Sequence, residues 1–152
     1  GCRPNGSVDE VLIQKFVDDL RGAVAFMREQ GATKIILAGA SLGGCASAKL
    51  AAESEAEGLI VIASPSEISQ WGFKVDAADI DTDIPKLFIT AENDTTVSST
   101  FTHELFSLAS QPKEWQTYSG TAHGTDLFDG EHSEALIQRL LQFILDIVNE
   151  EK

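Results

Sequence analysis

Six residues, Gly39-Ala40-Ser41-Leu42-Gly43-Gly44, stand between the apolar run Ile35-Ile36-Leu37-Ala38 and the small-residue stretch Cys45-Ala46-Ser47-Ala48-Lys49-Leu50-Ala51-Ala52. They spell G-x-S-x-G at the point where a buried strand gives way to a helix. So abrupt a turn brings the residues two before and two after the serine together, which predicts that only glycine fits at Gly39 and Gly43. It also strains the Ser41 backbone and exposes its hydroxyl at the carboxyl end of the strand, beside the first free N–H groups of the helix. This is the setting of an attacking nucleophile. The plainer alternative is an ordinary strand-to-helix turn with an idle serine, and the downstream residues decide between the two.

A serine nucleophile needs a base, and the base needs an orienting partner. His123, in the loop Gly120-Thr121-Ala122-His123-Gly124, is a better base candidate than His103 inside a predicted helix or His132 at a helix start, both expected at the surface. Asp94, in Glu92-Asn93-Asp94-Thr95, is the acid candidate. Glu92 and Asp126 compete with it, and Asp94 has the alternative role of capping the helix that follows.

These residues need elements to carry them. The turn chemistry of residues 1–7 reads as a loop, and Ser7-x-x-Glu10 as a capping box. From there Val11, Leu12, Phe16, Val17, Leu20, Val24 and Met27 recur at helical spacing until Gly31. Lys34 to Ala40 is a strand whose continuous apolar run implies burial on both faces. A helix from Leu42 to Glu55, a strand from Leu59 to Ala63 and a polar, irregular stretch to Pro85 with room for one short helix follow. Lys86 to Thr90 is the third strand, Val97 to Ser110 a helix holding Phe101, Leu105, Phe106 and Leu108, and Glu114 to Ser119 an edge or near-edge strand. The last helix, Ser133 to Asn149, is expected to bury Leu136, Ile137, Leu140, Leu141, Ile144, Ile147 and Val148. Alternating strands and helices predict an α/β protein with three α/β/α layers around a parallel sheet of about four strands. Ser41, Asp94 and His123 then gather at the carboxyl ends of the strands, where such sheets place functional groups.

Taken together, Gly39 to Gly44, Ala91-Glu92-Asn93-Asp94 and Gly120-Thr121-Ala122-His123-Gly124-Thr125-Asp126-Leu127 resemble the α/β-hydrolase family, in particular its dienelactone-hydrolase-like and small esterase-like branches. The order serine, acid, histidine is the family's own. The resemblance implies a nucleophile at Ser41, an acid at Asp94, a base at His123 and one oxyanion donor at the Leu42 N–H. It further implies hydrolysis of a small-molecule carboxylic ester or related acyl compound through an acyl-enzyme, with no metal or organic cofactor. Esterase, thioesterase, lactonase and peptidase all remain open. Family members carry about four further strands ahead of the first helix found here. The chain thus resembles the carboxyl-terminal part of a hydrolase, a partial fold lacking the N-terminal strands, and the edge of strand 34–40 is expected to be bare and open to self-association.

Bulk properties agree. At 152 residues and 43% hydrophobic content the chain suits one domain, 1–152, with a sizeable core. A formal net charge of −13 opposes binding to nucleic acid or an anionic membrane and favours neutral or cationic substrates. Cys2 and Cys45 make no disulfide framework, no Cys and His spacing suggests a metal site, and no apolar run is long enough to span a bilayer. A rival class is a non-catalytic α/β binding domain. A phosphate loop is disfavoured, since Gly39-x-x-x-Gly43-Gly44 fits neither nucleotide-binding glycine pattern.

Overall fold

The fold is described from a computed structural model over residues 10–150, with side chains from residue 14 onward. The expected loop over residues 1–7 and the capping box at Ser7 lie outside the described residues. In chain order the elements are α1 (Glu10–Glu29), β1 (Ile36–Ala40), α2 (Leu42–Leu50), β2 (Gly58–Ile62), β3 (Glu67–Ile68), β4 (Phe73–Lys74), β5 (Lys86–Ala91), α3 (Ser99–Leu108), β6 (Lys113–Tyr118) and α4 (Ser133–Asn149). Four of the strands form one parallel sheet in the order β1-β2-β5-β6. This is the expected α/β architecture.

Period-two alternation along the central strands divides the core. Leu59, Val61 and Phe88 point to one face and join Val17, Leu50 and Leu105 from the helices there. Ile60, Ile62, Leu87 and Ile89 point to the other, where Leu136, Phe143 and Ile147 of α4 cover them. Every residue of β2 and β5 is buried. Each large aliphatic side chain so buried contributes about 1.5 to 3 kcal/mol, which makes these two strands the rigid centre of the fold.

Strand β1 departs from its sequence pattern. Its apolar run predicts burial on both faces, yet Ala38 is exposed, and among the described residues β1 pairs with β2 alone. Helix α4 departs in the same way. Leu136 and Ile147 are buried as expected, whereas Ile137, Leu141 and Val148 are exposed, together with Leu145. The apolar residues of α4 cover more of its circumference than the one sheet face beneath it can receive.

Two other differences concern boundaries. Helix α2 ends at Leu50 rather than Glu55, because the Ser54 hydroxyl donates to the Ala51 carbonyl and accepts from the Ala56 N–H, while Glu55 takes φ 54°. The stretch after β2, read from sequence as irregular, contains the antiparallel pair β3 and β4, in register Glu67 with Lys74 and Ile68 with Phe73. A short 3₁₀ turn, Ser69–Trp71, and Gly72 at φ 63° connect them.

Candidate active site

Ser41 sits between β1 and α2 at φ 51°, ψ −120°, a backbone conformation that side-chain-bearing residues rarely adopt. Its N–H donates to Ile62 O at 2.8 Å, and its own carbonyl accepts from Gly44 and Cys45 N–H groups at 3.1 Å. The turn is therefore held from the neighbouring strand and from the helix at once. The expected strain is present and Gly39 is closely met as expected, but the second close contact falls on Gly44 rather than Gly43. A Cβ at Gly39 would lie 2.2 Å from the Gly43 carbonyl carbon, and one at Gly44 would lie 2.0 Å from Ser64 Oγ and 2.9 Å from Gly39 O. Around Gly43 there is open space. Gly43 contributes its backbone to the Gly39 contact, so the positions that exclude a side chain are Gly39 and Gly44.

Asp94 and His123 come together through the ends of β5 and β6. The Glu92 N–H donates to Tyr118 O at 2.9 Å and the Asn93 N–H to Gly120 O at 3.0 Å, which ties the two loops beyond their strands. His123 Nδ1 then lies 2.8 Å from Asp94 Oδ2. The Asp94 side chain is fully buried and that of His123 is 18% exposed. The other carboxylate oxygen, Oδ1, accepts from the Thr96 and Val97 N–H groups at 2.8 and 2.9 Å. Asp94 does not cap α3; Ser98 does, accepting from Thr100 N–H. The competing acids, Glu92 and Asp126, are exposed and make no hydrogen bond to His123.

Ser41 and His123 stand at adjoining loops. Gly124, the residue after His123, is so close to the elbow that a Cβ on it would lie 3.6 Å from Ala40 Cβ and 4.0 Å from Ser41 Cβ. Its φ of 55° further favours glycine. The Ser41 hydroxyl has no hydrogen-bond partner within 3.5 Å among the described residues, so the structure pairs His123 with Asp94 and not with Ser41. Leu42 opens helix α2, and among the described residues its N–H has no backbone acceptor, which leaves it free for a ligand at the helix start.

The other histidines are placed apart from this group. His103 is exposed on α3 and packs edge-on against Trp115. His132 stacks on Tyr118 and pairs with the Ser119 hydroxyl at 2.6 Å. Cys45, one residue past the glycine pair, is buried and donates its thiol to Pro65 O at 3.2 Å. Burial pushes that thiol up to about 12, so it stays protonated and is no nucleophile at neutral pH. Among the described residues no group of three or more His, Cys, Asp or Glu is placed to hold a metal ion.

Ser41 and Leu42 line a cleft of about 560 Å³. Its far walls are residues the sequence reading missed as site residues: the segment Ser66–Trp71, and Thr96, Val97, Phe101 and Glu104 at the start of α3. Phe101, on the expected helix, is 50% exposed and lines the cleft. The available signal was an aromatic residue beside a turn glycine, Trp71-Gly72, within an otherwise polar stretch.

No protein-family model matches this chain, and no curated protein sequence does. Solved structures do. The esterase domain of a Rhodothermus marinus protein is 22% identical with a TM-score of 0.67, over 82% of this chain and 65% of that one. An alpha-beta serine hydrolase homologue from Coxiella burnetii is 26% identical with a TM-score of 0.64, over 82% of this chain and 58% of that one. Est1E from Butyrivibrio proteoclasticus is 17% identical with a TM-score of 0.74, over 91% of this chain and 72% of that one. The chain spans less than two thirds of the length of the first two. The parallel four-stranded sheet, its flanking helices and these neighbours together give the chain the fold of the α/β hydrolases.

Proposed function

We propose that this chain is a serine hydrolase of carboxylic esters or related acyl compounds, with residues 1–152 acting as one hydrolase-like domain. The observation that carries the reading is a strained serine, φ 51°, opening on a cleft beside a histidine anchored to a buried aspartate. His123 would take the Ser41 proton on Nε2 as Oγ bonds to the substrate carbonyl carbon. Asp94, on Nδ1, keeps the ring in the tautomer that leaves Nε2 free and stabilises the imidazolium that forms. The Leu42 N–H would donate to the developing oxyanion, an interaction worth about 3 to 4 kcal/mol in the transition state. Collapse expels the alcohol, which takes its proton from His123. Water then repeats the sequence on the acyl-enzyme and regenerates the Ser41 hydroxyl. Every step uses this chain's own groups and water.

Of the two branches the sequence resembles, we favour the small esterase-like one. Support comes from the structural neighbours, an esterase domain and Est1E, and from a cleft lined by Glu67 and Glu104 with no Lys or Arg among the described residues, a poor host for a carboxylate-bearing lactone. One observation favours a binding domain without turnover: the Ser41 hydroxyl is not hydrogen-bonded to His123. Rapid mixing with 4-nitrophenyl butyrate separates the two. The hydrolase reading expects a burst of 4-nitrophenolate that matches the protein concentration and is absent from Ser41→Ala; saturable binding with no release supports the binding domain.

The edge of β1 that no described strand pairs with supports one partner reading, self-association. The edge carries no charge or proline between Ile36 and Ala40, and exposed Ala38 lies within it. With a net charge of −13 on each copy, association should strengthen as salt screens the repulsion. Sedimentation at low and high salt tests this, and a mass of one chain in both would discard it. No helix of the described residues is long and apolar enough to cross a membrane.

A further inference from the structure

Carboxylates reach the cleft from two separate elements, Glu67 on the β3–β4 hairpin and Glu104 on α3. Glu104 has no hydrogen-bond or ion-pair partner among the described residues. Among the described residues Glu67 accepts only the Ser69 hydroxyl, at 2.6 Å. The cation nearest in register, Lys74, pairs with Asp76 at 3.2 Å instead. Among the described residues no Lys, Arg or His lines the cleft, so none of them neutralises either carboxylate from within it. Two aromatic side chains, Trp71 and the half-exposed Phe101, line the same cleft. Unpaired carboxylates beside aromatic faces in a concave wall create a negative potential that a compact organic cation satisfies twice, by charge and by its contact with the rings.

We propose that this cleft selects acyl compounds bearing a cationic group, a quaternary ammonium or protonated amine, a few bonds from the scissile carbonyl. It rejects substrates bearing a carboxylate there. The proposal rests on the hydrolase reading for its chemistry, since the cleft matters to turnover only if Ser41 is the nucleophile. Glu67 and Glu104 are specificity residues in it, and they take no part in bond making.

The test is kcat/KM of the full-length protein for charge-matched pairs. Acetylcholine against its carbon isostere 3,3-dimethylbutyl acetate places the cation on the alcohol side. The 4-nitrophenyl esters of 4-(trimethylammonio)butyrate, 5,5-dimethylhexanoate and succinate place a cation, a neutral isostere and an anion on the acyl side. We expect the cationic member of at least one pair to exceed its isostere by about tenfold, and the succinate monoester to fall below the neutral ester by a similar factor. The preference should shrink in 0.5 M salt and approach unity in the Glu67→Gln, Glu104→Gln double variant. Which pair shows it tells whether the cation sits on the acyl or the alcohol side. Neutral esters hydrolysed with a cation-to-isostere ratio near one, or a ratio the double variant leaves intact, overturns the proposal while the hydrolase reading stands. If folded protein hydrolyses no ester, the hydrolase reading fails by itself. Calorimetric binding of choline against 3,3-dimethylbutanol to Ser41→Ala then decides the cleft's preference without catalysis, and equal or undetectable binding of both overturns it.

Discussion

One carboxylate does two jobs: Asp94 Oδ2 lies 2.8 Å from His123 Nδ1 while Oδ1 accepts the Thr96 and Val97 N–H groups. The second job fixes the plane in which the first is done. An aspartate free to rotate would hold an imidazole poorly, whereas this one is clamped by its own backbone turn. Asp94→Asn should therefore lower turnover by about 10⁴-fold through loss of the charge and of the ring's tautomer. Glu92→Gln and Asp126→Asn should stay within about twofold of the parent, because both groups are exposed and unpaired with His123. A fully active Asp94→Asn would remove Asp94 from the mechanism.

The elbow makes a prediction about stability that separates strain from chemistry. Ser41→Ala keeps a Cβ at φ 51° and should leave the thermal midpoint nearly unchanged while abolishing the burst. Ser41→Gly should abolish it too, yet raise stability by about 1 kcal/mol as the strain is relieved. Thermal unfolding of the three proteins checks the difference. A less stable glycine variant would mean that the Ser41 backbone is not strained.

Close contact at the glycines can be tested one position at a time. Gly39→Ala should cost about 3 kcal/mol, because its new Cβ meets backbone that cannot move aside. Gly44→Ala also destabilises. Gly43→Ala, placed in open space near the helix start, should be neutral or stabilising by up to about 1 kcal/mol. Urea midpoints read all three, and a destabilised Gly43→Ala would restore the contact expected from the motif alone.

Those glycines show where sequence reading ends. A pattern of residue types could say that a strand turned sharply into a helix at Ser41, and that Asp94 and His123 followed later strands, because such signals are local. It could not say which of two adjacent glycines meets a neighbour, since Ser64 approaches Gly44 from another loop. The β3–β4 hairpin was invisible for a related reason: each strand is two residues long, too short to show a period. Helix α4 was legible to the residue, Ser133 to Asn149, but its burial was not. Periodicity marks Ile137, Leu141 and Val148 as apolar without saying what, if anything, lies against them.

The buried thiol beside the elbow makes a prediction about pH. Cys45, raised to about 12 by burial, should resist alkylation in the native protein at pH 8 and react on denaturation. Its folded value lies above its unfolded one, so its contribution to stability is intact below about 9 and is lost as pH rises from there toward 12. Urea melts between pH 8 and 11 should show that decline, reduced in Cys45→Ala.

The central claim is that Ser41 is an activated nucleophile, and covalent capture addresses it without any assumption about substrate. Folded protein treated with a fluorophosphonate should gain the mass of one phosphonyl group, localised by peptide mapping to Ser41. Labelling should be lost in Ser41→Ala and strongly slowed in His123→Ala. A folded protein that gains no adduct, or gains it on another residue while Ser41 stays free, would contradict the account.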